Sequence, residues 1–166
     1  MLETPRVVMR QFRESDWDAY ARICADAEVM RYIGTGVVLT RDEAWRSIAN
    51  ILGHWQLRGY GMFALESKES GELLGRAGFH DPPGWPAFEL GWVLDRAHWG
   101  RGYATEAARA ALAHAFDGLG KKRVASLIRS GNERSIRVAE RLGERLAGEV
   151  DLLGSKALLY EIQRPS

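Results

Sequence analysis

The stretch His98-Trp99-Gly100-Arg101-Gly102-Tyr103-Ala104-Thr105-Glu106-Ala107 lies between a strand-like run, Phe88 to Leu94, and an alanine-rich helical run, Ala104 to Phe116. Glycine at 100 and 102 allows backbone angles that other residues avoid and lets a ligand approach the main chain. The first N–H groups of the helix have no partner within it and lie at the positive end of its dipole. The stretch therefore predicts an anion site, most often one for phosphate, although a tight turn that binds nothing has the same pattern.

Two common phosphate-binding motifs do not fit this stretch. The Walker A motif ends in Gly-Lys-Ser/Thr, whereas Gly102 is followed here by Tyr and Ala. The dinucleotide fingerprint needs a third Gly or Ala where this chain has Thr105. It also needs an acidic residue about twenty residues further on, where the chain has Lys121, Lys122 and Arg123. These failures disfavour a dinucleotide-dependent oxidoreductase.

Composition is typical of a soluble globular protein. The chain has 166 residues, 46% of them hydrophobic and 27% charged, and we expect one domain over residues 1–166. The net charge of +1 gives no bulk attraction to nucleic acid or to a membrane. Because there is no long apolar run and no signal-peptide core, we expect a cytoplasmic protein without a membrane span. The single cysteine, Cys24, excludes an intrachain disulfide and favours a buried structural thiol.

Hydrophobic periodicity predicts a mixed α/β chain with a clear β-α-β-α core. The predicted helices start near Ser15 and cover Ala27–Ile33, Arg41–Leu57, Ala104–Phe116 and Asn132–Leu142. The predicted strands are Val7–Phe12, Met62–Glu66, Leu73–Phe79, Phe88–Leu94 and Arg123–Ile128, with two more between Arg145 and Arg164 that break near Leu153.

Three segments resemble the GNAT superfamily of acetyl-CoA-dependent N-acetyltransferases, and within it the RimJ/RimL-like branch. They are Glu89-Leu-Gly-Trp-Val-Leu94, Trp99 to Ala107, and Asn132-Glu-Arg-Ser135 followed by Ala139 to Gly143. The resemblance covers nearly the whole chain and departs from the family pattern at Trp99, where Gln or Arg is usual. It implies a mixed, mostly antiparallel sheet flanked by helices, with a splayed pair of central strands. A homodimer is common in this branch.

The resemblance also implies where the coenzyme would bind. Backbone groups of the glycine loop and the first helical turn would hold the pyrophosphate of coenzyme A, at Gly100, Arg101, Gly102, Tyr103, Ala104 and Thr105. Main-chain groups of Val93 and Leu94 would pair with the pantetheine arm, and Asn132 would hydrogen-bond to it. Lys121, Lys122 and Arg123 would either meet the 3′-phosphate or be solvated charge. No His, Cys or Asp cluster has the spacing of metal ligands, so we expect no metal.

Glu89 is the predicted general base, because amines are mostly protonated at neutral pH and must lose a proton before they attack. An exposed glutamate paired with an arginine is the alternative. Many relatives use a tyrosine of the last helix to protonate the leaving thiolate, but no tyrosine lies between Tyr103 and Tyr160, so Ser135 is the candidate left by position.

Other residues near the proposed site have two interpretations each. His80 and His98 flank it as further candidate bases, although we expect surface-loop histidines. His114 lies among alanines and is expected to be structural. Tyr32, Trp45 and Trp55 lie in the N-terminal helices, where the resemblance implies the acceptor pocket, although core packing is the alternative.

The resulting prediction is an N-acetyltransferase that moves acetyl directly from acetyl-CoA to a primary amine. The acceptor would be a protein N-terminus or a small amine. The alternative is an acyl-CoA-binding module that has lost turnover, since the family tyrosine is missing.

Overall fold

A computed structural model describes residues 1–165, which form eight strands and five α-helices. The strands are β1 (Leu2–Glu3), β2 (Val7–Arg10), β3 (Met62–Ser67), β4 (Leu73–His80), β5 (Glu89–Leu94), β6 (Arg123–Ile128), β7 (Arg145–Leu152) and β8 (Ser155–Gln163). The helices are α1 (Trp17–Ala25), α2 (Ala27–Met30), α3 (Arg41–Arg58), α4 (Tyr103–Ala113) and α5 (Glu133–Leu142).

All eight strands belong to one sheet in the order β1-β2-β3-β4-β5-β6-β8-β7. Every neighbouring pair is antiparallel except β5 and β6, which are parallel. Helices cover both faces of the sheet. Ala107, Ala108 and Ala111 of α4 are fully buried against one face, and Ala44 and Ile48 of α3 are buried against the other. The mixed, mostly antiparallel architecture predicted from the sequence is confirmed.

Local sequence explains where α3 begins and ends. Thr40 Oγ1 accepts a hydrogen bond from the Glu43 N–H at 3.2 Å, and the Glu43 carboxylate accepts one from the Thr40 N–H at 2.8 Å. This capping box satisfies two donors at the helix start. Gly59 ends the helix with φ of 75°, a left-handed conformation that favours glycine.

The central strands β5 and β6 pair at a single position, Glu89 with Ala125. Just beyond this pair, Ser126 Oγ donates to the Leu90 carbonyl at 2.8 Å, so a side chain replaces the next main-chain contact. The strands then separate toward their carboxyl ends. The predicted splayed pair is therefore confirmed, and it opens on the side where the glycine loop follows β5.

Several element boundaries differ from the prediction. The two-residue β1 was missed because so short a strand has no periodicity of its own; it is held by pairing with β2. Helix α2 ends at Met30 rather than Ile33, and α4 gives way at His114 to a π-helical turn that ends at Gly118. Within residues 1–165, no helix is both long and apolar enough to cross a membrane.

Candidate functional site

A cleft of about 550 Å³ lies at the carboxyl end of β5, between α4 and α5. It is lined by nine of the eleven residues predicted to form the site, namely Val93, Leu94, Gly100, Gly102, Tyr103, Ala104, Thr105, Asn132 and Ser135. Arg101 and Glu89 do not line it. The Arg101 carbonyl accepts a hydrogen bond from Arg6, and Glu89 lies at the other end of β5.

The glycine loop leads directly into the amino end of α4. Gly102 is the N-cap residue and has φ of 80°, which strains any residue with a side chain. The N–H groups of the first turn are free of intrahelical partners and lie at the positive end of the helix dipole. Thr105 Oγ1 and His98 Nδ1 are buried and have no hydrogen-bond partner among residues 1–165, and both residues line the cleft. The chemistry of this end of the cleft fits an anion such as a pyrophosphate.

The N-terminal segment braces the loop from outside the cleft. Arg6 donates to the Arg101 carbonyl at 2.9 Å and to the Glu106 carboxylate at 2.6 Å, and its guanidinium lies 4.3 Å from the centre of the Tyr103 ring. Thr4 Oγ1 also donates to Glu106, at 2.6 Å. Sequence reasoning missed this brace because about a hundred residues separate its two halves.

The open edge of β5 presents main-chain groups toward β6. The Asp95 N–H donates to the Leu74 carbonyl at 2.9 Å. Because main-chain hydrogen-bonding directions alternate along an antiparallel pair, the N–H and C=O groups of the odd-numbered residues of β5 point toward β4, and those of the even-numbered residues point away from it. The Leu94 carbonyl accordingly accepts from Trp99 Nε1 at 3.0 Å. The Leu94 N–H and both main-chain groups of Trp92 thus face the opening. The main-chain groups of Val93 face β4 instead, so Val93 has none free to pair with an extended ligand in the opening, whereas Trp92 has two.

Glu89 lies where β5 and β6 begin to part. Its Oε2 accepts a hydrogen bond from Trp85 Nε1 at 2.6 Å. Burial raises the pKa of Glu89 to about 7, although the hydrogen bond from Trp85, the charge of Arg76 and a backbone hydrogen bond at Leu127 act against this rise. A carboxylate with this pKa is well matched to proton transfer near neutral pH.

His80 is the cross-strand neighbour of Glu89 and corrects the expectation of a surface-loop histidine. It is the last residue of β4, half-buried, with its ring stacked on His54 and edge-on to Trp85 at 4.5 Å. Burial, and then the charges of His54 and Arg76, lower its pKa to about 4. His80 is therefore neutral at pH 7 and a weaker base than Glu89.

Ser135 and Asn132 lie together at the amino end of α5. The Asn132 side-chain oxygen caps the helix by accepting from the Ser135 N–H at 3.3 Å. Ser135 Oγ accepts from the indole N–H of Trp92 at 3.3 Å, so the serine hydroxyl keeps its own proton to donate into the cleft. Tyr160, the next tyrosine after Tyr103, is buried on β8 and does not line the cleft.

Comparison with known proteins agrees with this arrangement. The family model described as an acetyltransferase (GNAT) domain matches residues 6–145. The chain belongs to the GNAT acetyltransferase family.

The relatives of this GNAT acetyltransferase align along most of their length. YkkB of Bacillus subtilis is 31% identical in an alignment 168 positions long, which covers 96% of this chain and 94% of that protein. The acetyltransferase from Agrobacterium tumefaciens str. C58 has a TM-score of 0.87 at 31% identity, over 98% of this chain and 94% of that one. RimL, a ribosomal L7/L12 alpha-N-protein acetyltransferase solved with coenzyme A, has a TM-score of 0.80 at 20% identity, over 96% and 95% of the two chains. The likeness to RimL shows a shared fold.

Of the two interpretations of the basic run after α4 in this GNAT enzyme, a contact with the 3′-phosphate or solvated charge, the lining of the cleft gives no support to the first. Lys121, Lys122 and Arg123 follow the carboxyl end of α4, roughly 16 Å along the helix from the glycine loop. Lys121 lies over the Phe88 ring instead, 4.2 Å from its centre. The cleft is lined by three arginines of α5, Arg134, Arg137 and Arg141, together with Arg31. Their spacing of three and four residues on one helix face was the signal that could have found them.

The aromatic residues expected in an acceptor pocket separate in the structure. Tyr32 lines the cleft, near Gly131. Trp45 is exposed on α3, and Trp55 donates its indole N–H to the Met62 carbonyl and packs on Phe63, so neither lines the cleft. His98 also differs from the expected surface histidine, because it lines the cleft beside the glycine loop. Across residues 1–165, no three His, Cys, Asp or Glu side chains are grouped to hold a metal ion.

Proposed function

We propose that this GNAT enzyme transfers the acetyl group of acetyl-CoA directly to a primary amine in a ternary complex. The observation that supports the proposal most directly is the opening between β5 and β6, which runs from the glycine loop at the start of α4 to Glu89, a carboxyl group whose pKa burial raises to about 7. Acetyl-CoA supplies an activated acyl group as a thioester. The complex of RimL with coenzyme A, on the same fold, supports the choice of cosubstrate.

The cleft offers groups for each part of the coenzyme. The first-turn N–H groups of α4, with Thr105 Oγ1, would bind the pyrophosphate, and the α5 arginines would pair with the remaining phosphate charge. Trp92 and Leu94 would hydrogen-bond the pantetheine arm as an added strand does. Because the side-chain oxygen of Asn132 already caps α5, its amide N–H₂ group is the part left to bind the arm.

The residues around the opening account for the chemistry. Glu89 would accept a proton from the acceptor ammonium, directly or through a water, so that the nitrogen can attack the thioester carbonyl. The Trp92 N–H, which faces the same opening and lies nearer Glu89 than Leu94 does, would stabilise the negative charge that develops on the carbonyl oxygen, which leaves the Leu94 N–H and the Trp92 carbonyl for the pantetheine arm. The nitrogen–carbon bond forms and the carbon–sulfur bond breaks. The thiolate takes a proton from the Ser135 hydroxyl or from water, and that group recovers a proton from the attacking nitrogen as the nitrogen becomes the amide.

The test combines binding with turnover. Acetyl-CoA would be titrated into the protein by calorimetry, and release of free coenzyme A thiol would then be followed with peptides carrying free N-termini and with small primary amines. We expect one-to-one binding and amine-dependent thiol release that falls in Glu89→Gln but not in the exposed-site control Glu149→Gln. Binding without release for any amine would replace the proposal with an acyl-CoA-binding module. A lack of binding would contradict the assignment of the cleft.

A further inference from the structure

A second cavity, of about 300 Å³, lies on the opposite face of the sheet from α4 and α5. Residues of α1, of the segment between α2 and α3, and of β4 form its walls. Val93 and Ile33 line both this cavity and the coenzyme cleft, so the two spaces meet beside the open end of β5. A molecule held in the second cavity would reach the proposed acetyl position from the face that carries Glu89, since Glu89 and Val93 lie on the same side of β5.

Arg76 is the charged side chain of this cavity. It lies on β4 directly opposite Val93 in the strand register. Its Nε is buried and has no hydrogen-bond partner, and Arg76 forms no ion pair with any of residues 1–165. No acidic residue among those described lines the cavity. Because a partly buried guanidinium that contacts no carboxylate is costly, this arrangement favours an anionic ligand.

The remaining lining is mostly apolar, with two hydroxyl groups among it and two exposed apolar side chains at its mouth. Tyr20 and Ser47 place two hydroxyl groups 3.1 Å apart inside the cavity. Val37 and Leu153, which also line it, are 63% and 56% exposed. Leu153 has φ of 49°, an unusual conformation for a bulky residue, at the tip of the β7–β8 hairpin.

Arg129 fixes the two loops that carry this mouth. Its guanidinium donates to the Gly34 carbonyl at 3.1 Å and to the Leu152 carbonyl at 2.8 Å. Hydrogen bonds from one side chain therefore hold together the two loops that form the apolar mouth of the cavity.

We propose that this second cavity binds the acceptor and that Arg76 recognises an anionic group on it, a carboxylate or a phosphate. The acceptor would thus be a small amine that carries an anion and an apolar portion, with its nitrogen directed toward Val93. This inference rests on the proposed function, because it assigns the substrate class of the same site.

The test measures binding to protein saturated with coenzyme A, so that it does not depend on turnover. The probes are leucine and its uncharged counterpart leucinamide, and O-phosphoethanolamine with its counterpart ethanolamine. The variant is Arg76→Met, and the matched control is Arg22→Met, which removes the same charge from an exposed position on α1. Calorimetry gives each dissociation constant.

We expect the wild type and Arg22→Met to bind at least one anionic probe more tightly than its neutral counterpart. Arg76→Met should weaken that anionic probe about 10- to 100-fold, the loss of a charged hydrogen-bonded pair, and leave its counterpart nearly unchanged. Which anionic probe responds distinguishes carboxylate from phosphate. As a check that needs no variant, the corresponding acid without an amine (4-methylpentanoate or ethyl phosphate) should compete with the probe.

Equal binding of charged and neutral probes would overturn the proposal, as would equal weakening of both by Arg76→Met. The second result would mean that Arg76 acts only through its charge on Glu89. Failure of the proposed function is separable, because selective anion binding without acetylated product would uphold the role of Arg76 and reject transfer to that amine.

Discussion

The two edges of β5 differ sharply, and the difference creates the site. Toward β4, six residue pairs continue without a break from Gly75–Leu94 to His80–Glu89. Toward β6, one pair forms, Glu89 with Ala125. The continuous edge fixes the strand in place, and the open edge leaves main-chain groups of Trp92 and Leu94 available. A rigid strand with one unpaired side can present hydrogen bonds to a ligand without first having to become ordered.

Side-chain hydrogen bonds keep β5 and β6 apart beyond the Glu89–Ala125 pair. Ser126 Oγ satisfies the Leu90 carbonyl, Trp99 Nε1 satisfies that of Leu94, and the Trp92 indole reaches Ser135 of α5. The first two contacts satisfy main-chain carbonyls that a closed parallel pair would bond to the neighbouring strand, and the third ties β5 to α5 across the opening. The opening is therefore a feature of the folded chain itself.

Gly102→Val should have the largest effect on coenzyme binding at the open edge of β5. A branched residue at φ of 80° strains the N-cap, and the loop would have to move its N–H groups away from the coenzyme phosphates. We expect acetyl-CoA affinity to fall by about 100-fold or more, since each lost charge-assisted hydrogen bond contributes roughly 1.5–3 kcal/mol. Calorimetry measures the change.

Gly84→Val is the matched control for that variant. Gly84 has φ of 82° and open space around it, but it lies in the loop before the opposite end of β5. It should lower stability by a similar amount and leave acetyl-CoA affinity unchanged. Equal affinity loss in both variants would contradict the assignment of the loop.

Glu89→Gln tests the proposed general base, which lies at the one position where β5 pairs with both β4 and β6. In the wild type the carboxyl loses its proton as the pH rises through about 7, and only the ionised form can act as a base. We expect turnover to fall about 100-fold near pH 7.5, within the usual range for general bases. The loss should shrink at high pH, where the amine ionises unaided, and also well below pH 7, where the wild-type carboxyl is protonated. A constant ratio across pH would remove Glu89 as the base.

Glu144→Gln tests the support behind Ser126. Glu144 is 3% exposed, its Oε1 lies 3.0 Å from Ser126 Oγ, and its Oε2 has no partner. Burial raises its pKa to about 8, although the hydrogen bond with Ser126 opposes the rise. Below about pH 4.5, Glu144 is protonated in both the folded and the unfolded protein. Between about pH 4.5 and pH 8 it keeps its proton only in the folded protein, so the free energy of unfolding falls as the pH rises.

In Glu144→Gln, the free energy of unfolding should fall less steeply between pH 5 and 8, by up to about 1.4 kcal/mol per pH unit, because glutamine does not titrate. Urea unfolding at several pH values measures it, with the exposed Glu149→Gln as control. An unchanged slope would mean that Glu144 is ionised in the folded protein.

Ser135→Ala should have the smallest effect. A thiolate is already a stable leaving group, so loss of the hydroxyl should lower kcat less than tenfold, well below the general-base loss. Comparison of kcat for thiol release with that of Glu89→Gln checks the order. A larger loss than for Glu89→Gln would make Ser135 the essential acid of the reaction.

Local sequence signals predicted most of the fold. Helix α3 begins at Arg41 as predicted and ends at Arg58 rather than Leu57, because the Thr40–Glu43 capping box and Gly59 set its two ends locally. Strand β5, predicted over Phe88–Leu94, is found at Glu89–Leu94. The loop at Gly102 also has its predicted left-handed conformation and its place at the start of a helix. These element boundaries could be predicted because the residues that determine them are neighbours in the sequence.

Features that depend on topology could not be read in this way. The sequence left Lys121 with two interpretations, a phosphate contact or solvated charge, and could not show that α4 carries it away from the glycine loop, to the Phe88 ring. The Arg6 brace and the burial of Arg76 depend on segments that meet only after folding. His80 was misjudged for the same reason, since its partners His54 and Trp85 come from two other segments.

The central claim is that acetyl-CoA binds along the open edge of β5, and amide hydrogen exchange tests it most directly. Exchange would be followed residue by residue by NMR, with and without acetyl-CoA. The account predicts slower exchange at Trp92, Leu94 and residues 102–105, with little change along the paired edge at Arg76 and Gly78. Binding of acetyl-CoA without protection of Trp92, Leu94 and the loop would contradict it.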